Sequence, residues 1–145
     1  NENNTGFIGL THLGAVSCVS WASKFDKIIG VDLNEELVNL FSSNKSPFPE
    51  PGIQDIINKN KDKMIFSKDF SKLSECDSIF ITQDIVTDDE NRSNYDEFYA
   101  LIDEAIPHLP QNVIIILMSQ ISVGMTRRIK DYIKNKRKKI ITFIC

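Results

Sequence analysis

The stretch Phe7 to Gly14 reads FIGLTHLG, with glycines at positions 9 and 14 and Thr11 between them. This is G-x-T-x-x-G, one residue away from the G-x-G-x-x-G turn that joins a strand to a helix and cradles a pyrophosphate. In such a turn the first glycine makes the tight bend. The last lets the helix pack closely on the strand, so that free helix N–H groups and the positive end of the helix dipole face the phosphates. The middle position normally lacks a side chain because the backbone comes close to the phosphates. Thr11 places a β-branched group there, so either a dinucleotide sits slightly farther out or the hydroxyl itself donates to a phosphate oxygen. Taken alone, the turn is equally compatible with a structural strand-to-helix connection.

Asp32 supplies the second element, 18 residues after Gly14. A carboxylate at the end of the second strand accepts the hydroxyls of an adenosine ribose and repels a 2′-phosphate. Turn and acid together point to dinucleotide binding, with NAD favoured over NADP. The competing reading is that Asp32 begins a turn before Asn34. Gly9, Thr11, His12, Leu13, Gly14 and Asp32 are therefore the candidate cofactor-binding residues, with His12 either beside a phosphate or turned away from the helix start.

Other chemistry-bearing groups carry less. His108 follows Pro107 at a helix end and reads as a solvated terminal residue. Asp84, Asp88, Asp89 and Glu90 have no specific ligand spacing and read as a solvated loop rather than a metal site. Arg127, Arg128, Lys130, Lys134, Lys136, Arg137, Lys138 and Lys139 gather largely in the last helix, where cations complement the helix C-terminus. Nucleic acid is not the expected partner.

The elements that must position the turn and the acid follow from periodicity. Short β-rich apolar runs alternate with helix-period segments, the pattern of a parallel sheet covered by helices. Strands are predicted at Thr5 to Leu10, Lys27 to Asp32, Met64 to Phe66, Ser78 to Ile81, Val113 to Met118 and Lys139 to Ile144. Helices are predicted from about Leu13 to Lys24, with Leu13, Val16, Ser20 and Trp21 sharing a face, and from Glu35 to Ser42 behind an Asn34 cap. Further helices are expected from near Gly52, over Phe70 to Glu75, from Tyr95 to about Ile106, and from Gly124 to Lys136. Six strands opening on a glycine turn give an α/β, doubly wound parallel sheet with helices on both faces and strand order 3-2-1-4-5-6. Ligands of such sheets lie outside the carboxyl ends of the strands, so the polar loops Ser43 to Pro51 and Gln83 to Asn94 are the functional loops to watch.

Bulk properties agree. The 145 residues are 41% hydrophobic and 26% charged with net charge −3, an ordinary composition for one globular domain. The longest apolar runs, such as Val113 to Met118, fall far short of the roughly 20 residues of a membrane-spanning helix. Cys18, Cys76 and Cys145 form neither a disulfide framework nor a zinc motif, and read as small buried hydrophobes in a reducing, cytoplasmic setting. The start at Asn1 leaves an upstream signal open, and the ending at Cys145, inside or just after an apolar run, is that of a fragment.

In their order these motifs resemble the N-terminal domain of the UDP-glucose/GDP-mannose (nucleotide-sugar) dehydrogenase family, over nearly the whole chain. The resemblance rests on FIGLTHLG, on IIGVDLNEELV at Ile28 to Val38, on PEPGI at Pro49 to Ile53, on CDSIFIT at Cys76 to Thr82 and on SQISVGMTRRI at Ser119 to Ile129. E-P-G before an aliphatic residue, and S-x-x-x-x-G-x-T-R after the fifth strand, are its more specific parts. The resemblance implies an NAD-binding domain over residues 1 to 145 of an enzyme of polysaccharide biosynthesis. That enzyme oxidises a sugar-nucleotide hydroxymethyl group to a carboxylate with two NAD molecules in succession. A catalytic cysteine in a later domain carries the covalent intermediates. It further implies that Thr87 and Ser119 contact NAD, that Glu50 lies near the substrate cleft, and that the full-length enzyme dimerises through the later region.

This chain departs from the family at two places. The usual V-P-T-P reads Ile85-Val86-Thr87-Asp88, and Gln120 stands where a threonine usually positions water or cofactor. Two alternatives stay open. One is another NAD-dependent dehydrogenase of the 3-hydroxyacyl or 6-phosphogluconate type; the other is a non-catalytic binding module in which Thr11 and Gln120 mark a pocket that has lost its cofactor.

Overall fold

A computed structural model describes residues 3–45, 51–87, 89–90, 93–118, 121–137 and 142–144. Along these the strands are β1 (Asn4–Ile8), β2 (Lys27–Val31), β3 (Met64–Ser67), β4 (Ser78–Ile81), β5 (Val86–Thr87), β6 (Ser93–Asn94), β7 (Ile114–Leu117) and β8 (Thr142–Ile144). Six of them form one parallel sheet in the order β3-β2-β1-β4-β7-β8. Leaving out the small β5–β6 pair, this is the expected order 3-2-1-4-5-6. β5 and β6 form a two-stranded antiparallel ribbon inside the segment Gln83 to Asn94, which the sequence reading treats as plain loop. Pairing of two residues per strand leaves no periodic signal to read.

The helices are α1 (His12–Trp21), α2 (Glu35–Ser42), α3 (Ile53–Asn60), α4 (Asp96–Ala105) and α5 (Val123–Lys136). Short 3₁₀ segments cover Ala22–Lys24, Phe70–Glu75 and Ile106–His108. The Asn34 cap forms as expected, its Oδ1 accepting from Leu37 N at 3.2 Å, and Glu35 and Glu36 occupy the first turn where the helix dipole favours acid. Ser122 caps α5 by accepting from Met125 N.

Successive strand residues point to opposite faces, and the sheet sorts them into two cores. Phe7, Ile28 and Phe80 pack with α1, α2 and α3 residues such as Cys18, Phe41 and Ile57. Ile8, Ile29, Ile79 and Ile115 pack on the other face with Phe98 and Ile102 of α4 and Ile129 and Ile133 of α5. Phe7 and Phe80, neighbours across β1 and β4, stack with ring centroids 4.9 Å apart.

One expectation about packing is corrected. The face that α1 buries is built from Gly14, Ser17, Cys18, Val19 and the adjoining Ala22, whereas Ser20 and Trp21 are exposed. Val16 of the expected face does pack against this core and the Leu13 side chain lies outside the described residues; a helix held close to the sheet also turns its small residues inward. Cys18 and Cys76 are buried free thiols, as expected. Among the described residues no helix is long and apolar enough to cross a membrane.

Candidate functional site

The site is built where three strand ends meet: β1, β2 and β4. β1 ends at Ile8, and Gly9 turns the chain with φ of +101°, its N–H donating to Val31 O at 3.0 Å. That conformation disfavours side chains, and space forbids one too. A Cβ on Gly9 would stand 2.7 Å from the Gln83 backbone, and one on Gly14 would stand 1.8 Å from Gly9 O. Both glycines are thus required by the close approach of α1 to the tip of the sheet.

Thr82, at the end of β4, locks the turn. Its hydroxyl donates to Gly9 O at 2.9 Å and its N–H to Ile8 O at 2.9 Å, and the side chain is wholly buried. Thr11 is the N-cap residue of α1 but gives the helix no side-chain cap. Its Oγ1 instead accepts from Asp84 N at 3.1 Å, in the loop that follows β4. The β-branched group is therefore accommodated by turning toward that loop. Because the oxygen accepts in this bond, its own hydrogen is available to donate.

Asp32 is 5% exposed, and both its oxygens are held by backbone. Oδ2 accepts from Leu10 N at 2.7 Å, inside the glycine turn, and Oδ1 accepts from Asn34 N at 3.0 Å, at the start of α2. Asp32 does begin the turn before Asn34, and it also stands beside the glycine loop. Charge-assisted bonds of this kind fix a carboxylate at the tip of the strand without neutralising it.

Thr11, Asp32 and Gln83 open onto one cleft of about 300 Å³, walled by Leu33, Asn34 and Leu37 on one side and by Glu97, Ala100 and Leu101 of α4 on the other. A mostly apolar slot with a few fixed polar groups at its mouth has the character of a small-molecule site. A glycine turn held tight against the sheet, a helix N-terminus left uncapped by its own threonine, and a buried carboxylate at the end of β2, the last two opening onto one cleft, fit a dinucleotide.

The structure brings Gly9, Thr11, Gly14 and Asp32 together. The backbones of His12 and Leu13 form the first turn of α1, and that of Thr87 lies in β5. Glu50, Ser119 and Gln120, with Asp88, lie outside the described residues. Sequence reasoning missed Thr82, Gln83, the Asp84 amide and Glu97. The rule that ligands sit beyond strand ends already pointed to the residues after β4, but only the β1–β4 register shows which of them reaches the turn.

A family model described as the UDP-glucose/GDP-mannose dehydrogenase family, NAD binding domain, matches residues 3–143. An uncharacterized protein of Methanocaldococcus jannaschii is 21% identical over 135 residues, 91% of this chain and 15% of that protein. The UDP-N-acetyl-D-mannosamine dehydrogenase of Campylobacter jejuni is 24% identical over 140 residues, 93% of this chain and 33% of that protein. Among solved structures, the NDP-N-acetyl-D-galactosaminuronic acid dehydrogenase of Methanosarcina mazei superposes with TM-score 0.87 at 20% identity, covering 98% of this chain and 33% of that one. The chain thus spans a third or less of the length of these relatives. By the family match over almost all its residues, it belongs to the UDP-glucose/GDP-mannose dehydrogenase family as an NAD-binding domain.

Proposed function

We propose that this chain is the cofactor-holding part of a nucleotide-sugar 6-dehydrogenase, which oxidises the hydroxymethyl group of a UDP- or GDP-sugar to a carboxylate. The observation that carries the cofactor half of this reading is the cleft itself. In it a buried Asp32 is pinned by backbone amides beside two glycines that cannot accept a side chain. When bound, NAD supplies the hydride acceptor.

The chain's own residues bind and orient. Gly9 and Gly14 let α1 start close against the sheet, so that its first-turn amides would face a pyrophosphate and the Thr11 hydroxyl would donate to a phosphate oxygen. Asp32 accepts from the ribose hydroxyls. Leu33, Leu37, Ala100 and Leu101 line the same cleft and would supply apolar contacts for the flat base. His12, Leu13, Thr87 and Ser119 complete the cofactor contacts in this reading, and Glu50 stands on the substrate side.

Among the described residues, the thiols do not offer an acyl-carrying nucleophile. Cys18 and Cys76 are buried, and burial raises both thiols away from the reactive thiolate. In this reading the domain alone does not oxidise the sugar, and the covalent chemistry is the work of the whole enzyme. The test is the stoichiometry of NADH formed by the full-length protein on UDP- and GDP-sugars. Two NADH per sugar nucleotide consumed supports the reading. One NADH, with release of an aldehyde or ketone, supports the hydroxyacyl or phosphogluconate type instead.

A further inference from the structure

The cleft carries a second carboxylate that the glycine turn and Asp32 do not account for. Glu97 lies in the first turn of α4, and it lines the wall facing the tip of β2. Among the described residues that line the cleft, Asp32 and Glu97 are the charged ones, and both are acids. Two backbone amides beside Asp32 are already taken. Leu10 N and Asn34 N both donate to Asp32, and the Asn34 side chain accepts from Leu37 N. A phosphate brought to this end of the cleft would meet two negative charges and no cation, and the nearest amides are committed to a carboxylate. Asp96 and Glu97 together also offset the positive end of the α4 dipole, which would otherwise draw an anion in.

Resting on the reading of the cleft as the NAD site, we infer that Glu97 is a second specificity residue. It acts with Asp32 to exclude the 2′-phosphate of NADP, so that changing Asp32 alone does not open the site to NADP. The interaction is Coulombic across a solvent-bearing cleft, and added salt weakens it.

The test is calorimetric titration of NAD and NADP into the 145-residue chain and into Glu97→Gln, Glu97→Lys and Glu104→Gln, with circular dichroism to verify folding. Glu104 is an exposed acid on the same helix that does not line the cleft, and it controls for net charge. The readout is the ratio of the NADP to the NAD dissociation constant. We expect Glu97→Gln to lower it about three- to tenfold and Glu97→Lys to lower it further. The shift should shrink as salt is raised toward about 0.5 M, and Glu104→Gln should leave the ratio in place. NAD binding with a ratio unmoved by Glu97→Gln, or moved equally by Glu104→Gln, overturns the inference while the cofactor reading stands. Failure of the unmodified chain to bind NAD overturns both.

Discussion

Asp32 Oδ2 accepts the Leu10 N–H at 2.7 Å, tying the end of β2 to the glycine turn that follows β1. One carboxylate thereby shapes the turn and presents charge to the cleft, because its other oxygen accepts from Asn34 N at 3.0 Å. Asp32→Asn keeps the shape but replaces one acceptor by an NH₂ group facing a backbone N–H. The expected cost is about 1–3 kcal/mol of stability, together with NAD binding weakened at least about tenfold. Urea unfolding and calorimetry on the same sample check both. Stability unchanged from wild type would show that Asp32 does not hold the turn.

Thr11 and Asp84 make the corresponding link to β4. Thr11→Val keeps the β-branched shape and removes the acceptor from the part-buried Asp84 N–H. It should lower stability by about 1–2 kcal/mol and weaken NAD several-fold, whereas Thr11→Ser should recover both. Equal NAD affinity in the valine and serine variants would mean that the hydroxyl takes no part in the phosphate contact.

Glycines at the two ends of the chain should answer differently to the same change. Gly14→Ala drives a Cβ to within 1.8 Å of Gly9 O, a backbone atom that cannot step aside, so the variant is expected to lose several kcal/mol or fail to fold. Gly124, in the first turns of α5, has nothing within 4 Å of its Cβ position. Gly124→Ala should leave stability level or raise it by up to about 1 kcal/mol. Thermal melts followed by circular dichroism compare the two.

The thiols set an alkaline limit. Burial first, then the charges of Glu75 and Asp77, push the Cys76 thiol up to about 12, and burial pushes Cys18 up as well. In the unfolded chain both ionise near about 8.5, so above that pH the unfolded state releases protons that the folded state retains. Their contribution is therefore complete below about pH 8.5 and is lost progressively as pH rises toward the folded values. Urea midpoints should fall between pH 7.5 and 10, and the decline should be shallower in Cys18→Ala/Cys76→Ala. A parallel decline in the variant would place the alkaline sensitivity on other groups.

The sheet could be read from the chain because buried parallel strands are continuous apolar runs, and VIIILM or KIIGV has few other uses in a domain of this size. Gly9, Gly14 and Asp32 could be read because their role depends on local geometry at strand ends. Contacts between residues far apart in sequence could not. Thr11 meets Asp84 across 73 positions, and Thr82 meets Gly9 across the same interval, and both contacts exist only once β4 is seated beside β1. Glu97 had no signal at all, since an acid in the first turn of a helix is what the dipole prefers anywhere. The inward face of α1 was misread for a related reason: close packing selects Gly14, Cys18 and Ala22, which hydrophobic periodicity underweights.

The proposed function rests on NAD entering the cleft with its ribose on Asp32. The measurement that addresses this most directly is a calorimetric titration of NAD and NADP into the unmodified chain and into Asp32→Asn. The account predicts saturable one-site binding of NAD, with NADP weaker by about tenfold or more, and a loss of NAD affinity in the variant. An unmodified chain that binds NADP as tightly as NAD, or that binds neither, would contradict it.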